Sequence, residues 1–187
     1  MPRTIVRKFK YSGLNRSKFR QLDNVIVKKS IMNGENIGKG VFSKKKIFKG
    51  QIITRFPVDI VFHDDSEDIM YASPEARIYA KKQKISLESY MDKMHVYWYC
   101  FSPMDGYTAV PVIKSLRKTD MDWVGHLVND ASNGGGGEKS YDNANRNASL
   151  TWDTYDPYVY ALKDIEPNEE IYVEYGYNYW KSKHKNS

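Results

Sequence analysis

Three short stretches of this chain combine residue types that can hold a ligand and act on it. Gly38-Lys39-Gly40 sets two glycines one residue apart. That spacing lets the backbone approach a ligand closely and offer it amide and carbonyl groups. Taken alone, the same pair fits an ordinary β-turn. It is not the dinucleotide fingerprint, which needs a third glycine opening a helix; here Val41-Phe42 continue as strand. Gly125-His126-Leu127-Val128-Asn129-Asp130 gathers an imidazole, an amide and a carboxylate, although Asn or Asp also commonly cap the end of an element. Glu169-Glu170-Ile171-Tyr172-Val173-Glu174-Tyr175-Gly176-Tyr177 follows an acidic pair with several phenols. The chain has 15 tyrosines, so any one of them is a packing residue by default.

Other chemistries have less support. His63, His95, His126 and His184 are scattered, and none shows the His-Glu-x-x-His or paired-cysteine spacing of a zinc site. His63-Asp64-Asp65 reads better as a solvated acidic loop than as a metal site, and no metal is expected. No Gly-x-Ser-x-Gly elbow and no phosphate loop occurs. Cys100 sits in an apolar strand pattern and is expected to pack rather than react. As the single cysteine it forms no internal disulfide and no four-cysteine site, which favours a reducing compartment.

These residues need a scaffold, and the pattern around them is mostly β. From Val25 to Phe56, short β-branched runs are cut by Gly34, Gly38, Gly40 and Gly50, which predicts strands and turns. Ser73-Pro74-Glu75 opens a helix over about 74–84: the serine caps, the proline suits the first turn, and the glutamate favours the positive end. Ala76, Ile78, Tyr79 and Ala80 would form its apolar face. His95 to Phe101 and Tyr107 to Ile113 read as strands joined at Asp105-Gly106, a hairpin signal. The glycine-rich stretch 131–142 predicts a flexible surface loop. Thr151 to Leu162 reads as strand, turn, strand; Glu166-Pro167-Asn168 as a turn; Ile171 to Tyr175 as a last short strand. The expected fold class is mainly β with small inserted helices, in an irregular barrel-like arrangement.

At 187 residues, the chain suggests one domain with short appendages. The 41% hydrophobic content suffices for a core. No run approaches the roughly 18 apolar residues of a membrane span, and no apolar segment near Met1 marks a secretory signal, so neither membrane insertion nor secretion is expected. The net charge of +6 favours acidic partners such as nucleic acid or nucleosomes, or is simply the modest charge of a soluble protein. Residues 1–22 hold Arg3, Arg7, Lys8, Lys10, Arg16, Lys18 and Arg20 with no acid. They read as a basic arm or tail more readily than as an organelle transit segment. Lys39, Lys44, Lys45, Lys46 and Lys49 form a second basic cluster, and 181–187 a basic tail that is a weak nuclear-import candidate.

In this order and at these separations, the Gly38-Lys39-Gly40 strand, His126…Asn129-Asp130, Asn147-Ala148 and Glu170…Tyr175-Gly176 resemble the SET-domain family of protein lysine methyltransferases. The likeness runs from about Asn24 to Trp180 and is most specific from Ala161 through Tyr175-Gly176. It implies a β-clip-like SET fold, short sheets around a pseudoknot, over 23–180, with a variable insert at about 62–98 and an insertion in the glycine-rich loop. It also implies S-adenosylmethionine as cosubstrate, cradled by Gly38, Lys39 and Gly40 and contacted by His126, Asn129, Asp130 and Trp180. Asn129 would meet the cosubstrate's amino acid end. Tyr175 would be the catalytic phenol, and Phe56, Leu150, Val173 and Tyr177 would line the lysine channel. Two departures stand out: Asp130 and Ala131 replace the family's usual His and Ser or Cys, and Asn147, aligned to the family's second Asn, comes late, with Asn143 and Asn145 as competitors. The family's cysteine-rich zinc modules are absent. The implied partner is a protein substrate, histone or nucleosome first, with non-specific DNA contact through the basic surface and a homodimer left open. The implied location is nuclear, with cytoplasmic as the alternative. Two other readings remain in play: a catalytically silent SET-like module that binds chromatin or protein, and a nucleic-acid-binding protein without catalysis, whose binding would fall steeply with salt.

Overall fold

A computed structural model of the chain describes residues 22–32, 34–63, 69–89, 101–104, 107–110, 124–131, 145–153 and 156–175. The β-branched run after Asn24 forms strand β1 (Val25–Met32), which pairs antiparallel with β2 (Glu35–Ser43). Their register slips between Ser30 and Ile31: Ser30 faces Gly38, Ile31 faces Asn36, and Ile37 is left over. Gly38 absorbs the extra residue with φ +103°, a conformation in which a side chain is strained. Gly38-Lys39-Gly40 is therefore a bulged strand and not a β-turn.

The next sheet has β10 (Asp156–Ala161) at its centre, between β3 (Ile52–Arg55) and β9 (Ala148–Asp153), both antiparallel to it. Between β3 and β9 in sequence lies a four-stranded sheet in the order β5 (Ile69–Ala72), β4 (Ile60–His63), β7 (Tyr107–Val110), β6 (Phe101–Met104). β6 and β7 pair antiparallel, with Met104 opposite Tyr107, as the hairpin reading requires; Asp105-Gly106 and residues 95–100 lie outside the described residues. Helix α1 (Pro74–Gln83) follows β5. Ser73 Oγ caps it by accepting from the Ala76 amide at 3.0 Å, and Lys84 ends it in the left-handed region at φ 55°. Ala76 and Ala80 are buried, but Ile78, expected on the apolar face, is 55% exposed. A helix needs only a stripe of apolar positions against its sheet, and here the small alanines supply it.

The last sheet positions the site. β8 (Asn129–Asp130) and β11 (Tyr172–Val173) pair in parallel, Tyr172 opposite Asn129 and Val173 opposite Asp130. On the other side of β11, Asn147 donates its amide to the Tyr172 carbonyl and accepts from the Tyr172 amide through Oδ1 at 2.8 Å. The C-terminal strand is thus threaded between two earlier segments, the knot-like arrangement that the resemblance implies. The end of β2 holds the approach to it: Ser43 N bonds to the Glu169 carbonyl and Ile171 N to the Val41 carbonyl. The turn before it has Asn168 at φ 67°, the positive value that the Glu166-Pro167-Asn168 reading needs.

Two apolar clusters support these elements. The larger contains Val25, Val41, Ile47, Ile53, Val128, Val159, Ile165, Ile171 and Val173, with Leu150 and Tyr175 packed against it. Ile47 and Ile165 also exchange backbone hydrogen bonds at 3.0 and 2.9 Å, and burying each side chain stabilises the fold by roughly 2 kcal/mol. The smaller cluster of Ile60, Phe62, Ala72, Ala76 and Val110 ties α1 to the four-stranded sheet.

Candidate active site

The threaded strand brings the separated motifs into direct contact. Asn129 Nδ2 donates to the Lys39 carbonyl at 3.1 Å and to Glu170 Oε1 at 2.9 Å, so the Gly-x-Gly strand, the Asn129 segment and the C-terminal acidic pair meet at one amide. Gly40 is buried against them. A Cβ there would lie 2.0 Å from Glu170 Oε1 and 3.0 Å from Asn129 Nδ2. Gly38 and Lys39 are exposed, and the space a Gly38 Cβ would occupy is open. Backbone groups and one amide thus line accessible space on one side and a filled polar core on the other.

Tyr175 lies just after β11, half-buried against the larger cluster. Its hydroxyl donates to the Val128 carbonyl at 2.5 Å, which fixes the phenol next to the Asn129 segment. Asp130 settles how that tyrosine is held. The parallel ladder runs to Val173 and Asp130, and just beyond it the Asp130 carboxylate accepts from Tyr175 N. Asp130, which the resemblance flagged as a departure, therefore has a side-chain role in the backbone of the tyrosine. Asn147, the other departure, is 1% exposed and also donates to the Glu170 carbonyl at 2.8 Å and Glu169 Oε1 at 3.0 Å. Asn145 is exposed and Asn143 lies outside the described residues. Arg146 adds an ion pair to Glu174 at 2.6 Å; both side chains are partly exposed, so the pair stabilises by no more than about 1 kcal/mol.

His126 sits on a short 3-10 helix (Gly125–Leu127), 4% exposed, its ring edge-on to Phe56 at 6.1 Å and 82°. Gly125 is packed against the Arg55 carbonyl, and Val124 N donates to Thr54 Oγ1 at 3.1 Å. Two residues from different expected roles, His126 and Phe56, are therefore neighbours. Val173 is buried and Leu150 half-buried in the cluster that carries Tyr175. Tyr177 and Trp180 lie outside the described residues. Among the described residues, no group of three His, Cys, Asp or Glu side chains is placed to hold a metal ion.

Three residues of this site were not singled out from sequence. Glu170 was read only as half of an acidic pair. Ser30, fully buried in β1, donates to both Glu170 oxygens at 2.7 and 2.9 Å. Tyr172 donates to Glu170 Oε2 at 2.9 Å. A polar residue inside a strand gives no signal of a partner 140 positions away, so only the fold reveals it. Burial, and then the hydrogen bond and negative charge of Glu170, push the Tyr172 phenol up to about 12 from 10.0. Because the folded value is the raised one, the stabilising contribution is full below pH 10 and is lost as pH rises through about 12. Tyrosinate absorbance titrated in the parent and in Tyr172→Phe should show the missing phenol ionising near pH 12; a difference curve centred near pH 10 would contradict the buried contact.

The SET domain profile matches residues 38–176, which contain every described residue of this site except Ser30. No curated protein sequence matches the chain. Among solved structures, the crystal structure of a Plasmodium falciparum candidate histone methyltransferase is similar at 18% identity and a TM-score of 0.46, covering 86% of this chain and 99% of that one. With the profile spanning most of the chain, and with the bulged Gly-x-Gly strand, Asn129 and Tyr175 joined through a threaded C-terminal strand, the chain belongs to the SET-domain family.

Proposed function

We propose that this protein transfers a methyl group from S-adenosylmethionine to lysine ε-amines of a protein substrate, with histones in chromatin the first candidates and the nucleus the corresponding location. SET domains are generally protein lysine methyltransferases. The observation that carries the reading is that Asn129 bonds to the Lys39 carbonyl while Tyr175 bonds to the carbonyl of the adjacent Val128, beside the paired strands β8 and β11.

The donor set fits the cosubstrate. Asn129 commits both amide hydrogens to protein acceptors, which leaves its oxygen for a cationic amino group. Gly38 offers backbone with open space where a side chain would stand, and Lys39 beside it is exposed. When bound, S-adenosylmethionine supplies a methyl group on a positively charged sulfur. His126, Asp130 and Trp180 would complete the pocket, Asp130 through its backbone.

The remaining work falls to the chain's own side chains. Free lysine has a pKa near 10.4 and is nucleophilic only when neutral. The channel that the family likeness assigns to Phe56, Leu150, Val173 and Tyr177 would strip water from the amine and favour the neutral form. Tyr175, its proton directed to the Val128 carbonyl, would present its oxygen to the amine and to weak C–H···O contact, so it orients and does not serve as a base. Holding the reactants in line makes the step effectively unimolecular. Val173, where the family often carries Phe or Tyr, leaves room for more than one methyl.

Asp130 and Asn147, the two departures from the family pattern, are what a silent-module reading would draw on. Both are engaged in holding the Tyr175 strand, which weakens that alternative. The test is transfer of label from S-adenosylmethionine to core histones and nucleosomes, with mass spectrometry of the product lysine. Di- or trimethyl-lysine is expected. Cosubstrate binding with no label on any histone would overturn the substrate, and no binding at all would overturn the activity.

A further inference from the structure

Glu170 is only 8% exposed, and the methyl transfer just described gives its carboxylate no part. It is nevertheless a hub of side-chain contacts. Donors from three strands converge on it: Ser30 from β1, Asn129 from β8 and Tyr172 from β11. Gly40 of β2 closes over it so tightly that even a methyl group would strike its oxygen.

The consequence lies in Asn129. Its two amide hydrogens go to the Lys39 carbonyl and the Glu170 carboxylate, and both partners accept only. Rotating the amide by half a turn would set its oxygen against two acceptors, so the orientation is decided by chemistry. The atom left for a ligand is Oδ1, an acceptor. A buried carboxylate next to that amide adds negative charge in surroundings where charge is poorly screened. Both features favour a ligand group that is cationic and donates hydrogen bonds.

We propose that Glu170 is a positioning residue of the cosubstrate site: by locking the Asn129 amide, with Ser30 as its second anchor, it makes the site selective for the ammonium group of the ligand. The inference rests on the reading of this site as one for S-adenosylmethionine. A purely structural Glu170 would stabilise the knot and affect every ligand alike, whereas a positioning Glu170 affects only ligands that carry the amino group.

The experiment is calorimetric titration of the full chain with S-adenosylmethionine and with a desamino analogue, in which hydrogen replaces the amino group. The parent should prefer S-adenosylmethionine by tenfold or more, about what one charge-assisted hydrogen bond supplies. E170A should bring the two ligands within about threefold of each other, mainly by weakening S-adenosylmethionine. E170Q keeps an acceptor for Asn129 without the charge and should retain part of the preference. S30A, whose change is remote from Asn129, should lower the preference less than E170A. E170Q and S30A carry the test if E170A does not fold. Equal weakening of both ligands in these variants would overturn the proposal, as would a parent that binds both equally well. A parent that binds neither would overturn the methyltransferase reading and this proposal together.

Discussion

Tyr175→Phe should fold like the parent and lose methyl transfer by about two orders of magnitude or more, a factor typical of a misplaced reacting group. The expected stability change is small. The hydroxyl donates a hydrogen bond to the Val128 carbonyl, and removing it destabilises by about 1 kcal/mol, a shift of about 2–4 °C in Tm for a chain of this size. The ring itself stays packed on the larger apolar cluster, and the backbone stays tied to Asp130. The loss should appear in kcat at saturating cosubstrate, with binding of S-adenosylmethionine nearly unchanged, because in the proposed reaction the phenol acts on the amine and the transferring methyl group. Steady-state kinetics beside calorimetry check this. A phenylalanine variant that retains more than a tenth of the parental kcat would remove Tyr175 from the reaction. One that loses binding and Tm together would make the hydroxyl a structural group.

Much of the scaffold around Tyr175 could be read from local sequence, because local chemistry specifies it. Ser73-Pro74 marks a helix start through a cap that the fold uses, and Pro167-Asn168 marks a turn through the positive φ that Asn tolerates. The motifs at Gly38–Gly40, Asn129 and Tyr175 were also legible, but only as a set with a family likeness. What could not be read is what the long-range contacts decide. β8 and β11 are each two residues long, too short for any periodicity, so their parallel pairing leaves no local trace. Asp130 stands in the sequence only as a departure from the family pattern, because its partner, the Tyr175 amide, lies 45 positions away. Ile78 read as an apolar-face residue because the pattern counts hydrophobicity and ignores which stripe the sheet covers. The same blindness applies to Gly40, whose partner Glu170 lies across the fold.

That last contact has the second large consequence. Gly40→Ala should destabilise the protein by about 2–4 kcal/mol, from overpacking together with disruption of a buried hydrogen-bond group. It should also abolish measurable cosubstrate binding. The added methyl would stand 2.0 Å from Glu170 Oε1, 2.8 Å from Glu170 Cδ and 3.0 Å from Asn129 Nδ2. A carboxylate at the end of a side chain could normally swing aside. This one is held by Ser30, Asn129 and Tyr172, so moving it leaves buried donors unmatched. The amide of Asn129 would shift with it. Gly38→Ala is the informative contrast: nothing crowds its Cβ, but φ +103° strains an alanine, so its cost should be about 1–3 kcal/mol, with the Glu170 contacts intact. Urea unfolding of Gly40→Ala, Glu170→Ala and the double variant decides the cause. If the clash is with the carboxylate, the two changes are strongly sub-additive, since deleting the side chain removes what the methyl strikes. Additive effects would mean that glycine is needed at position 40 for its backbone alone, and that the tight junction of Gly40, Asn129 and Glu170 does not hold the site together.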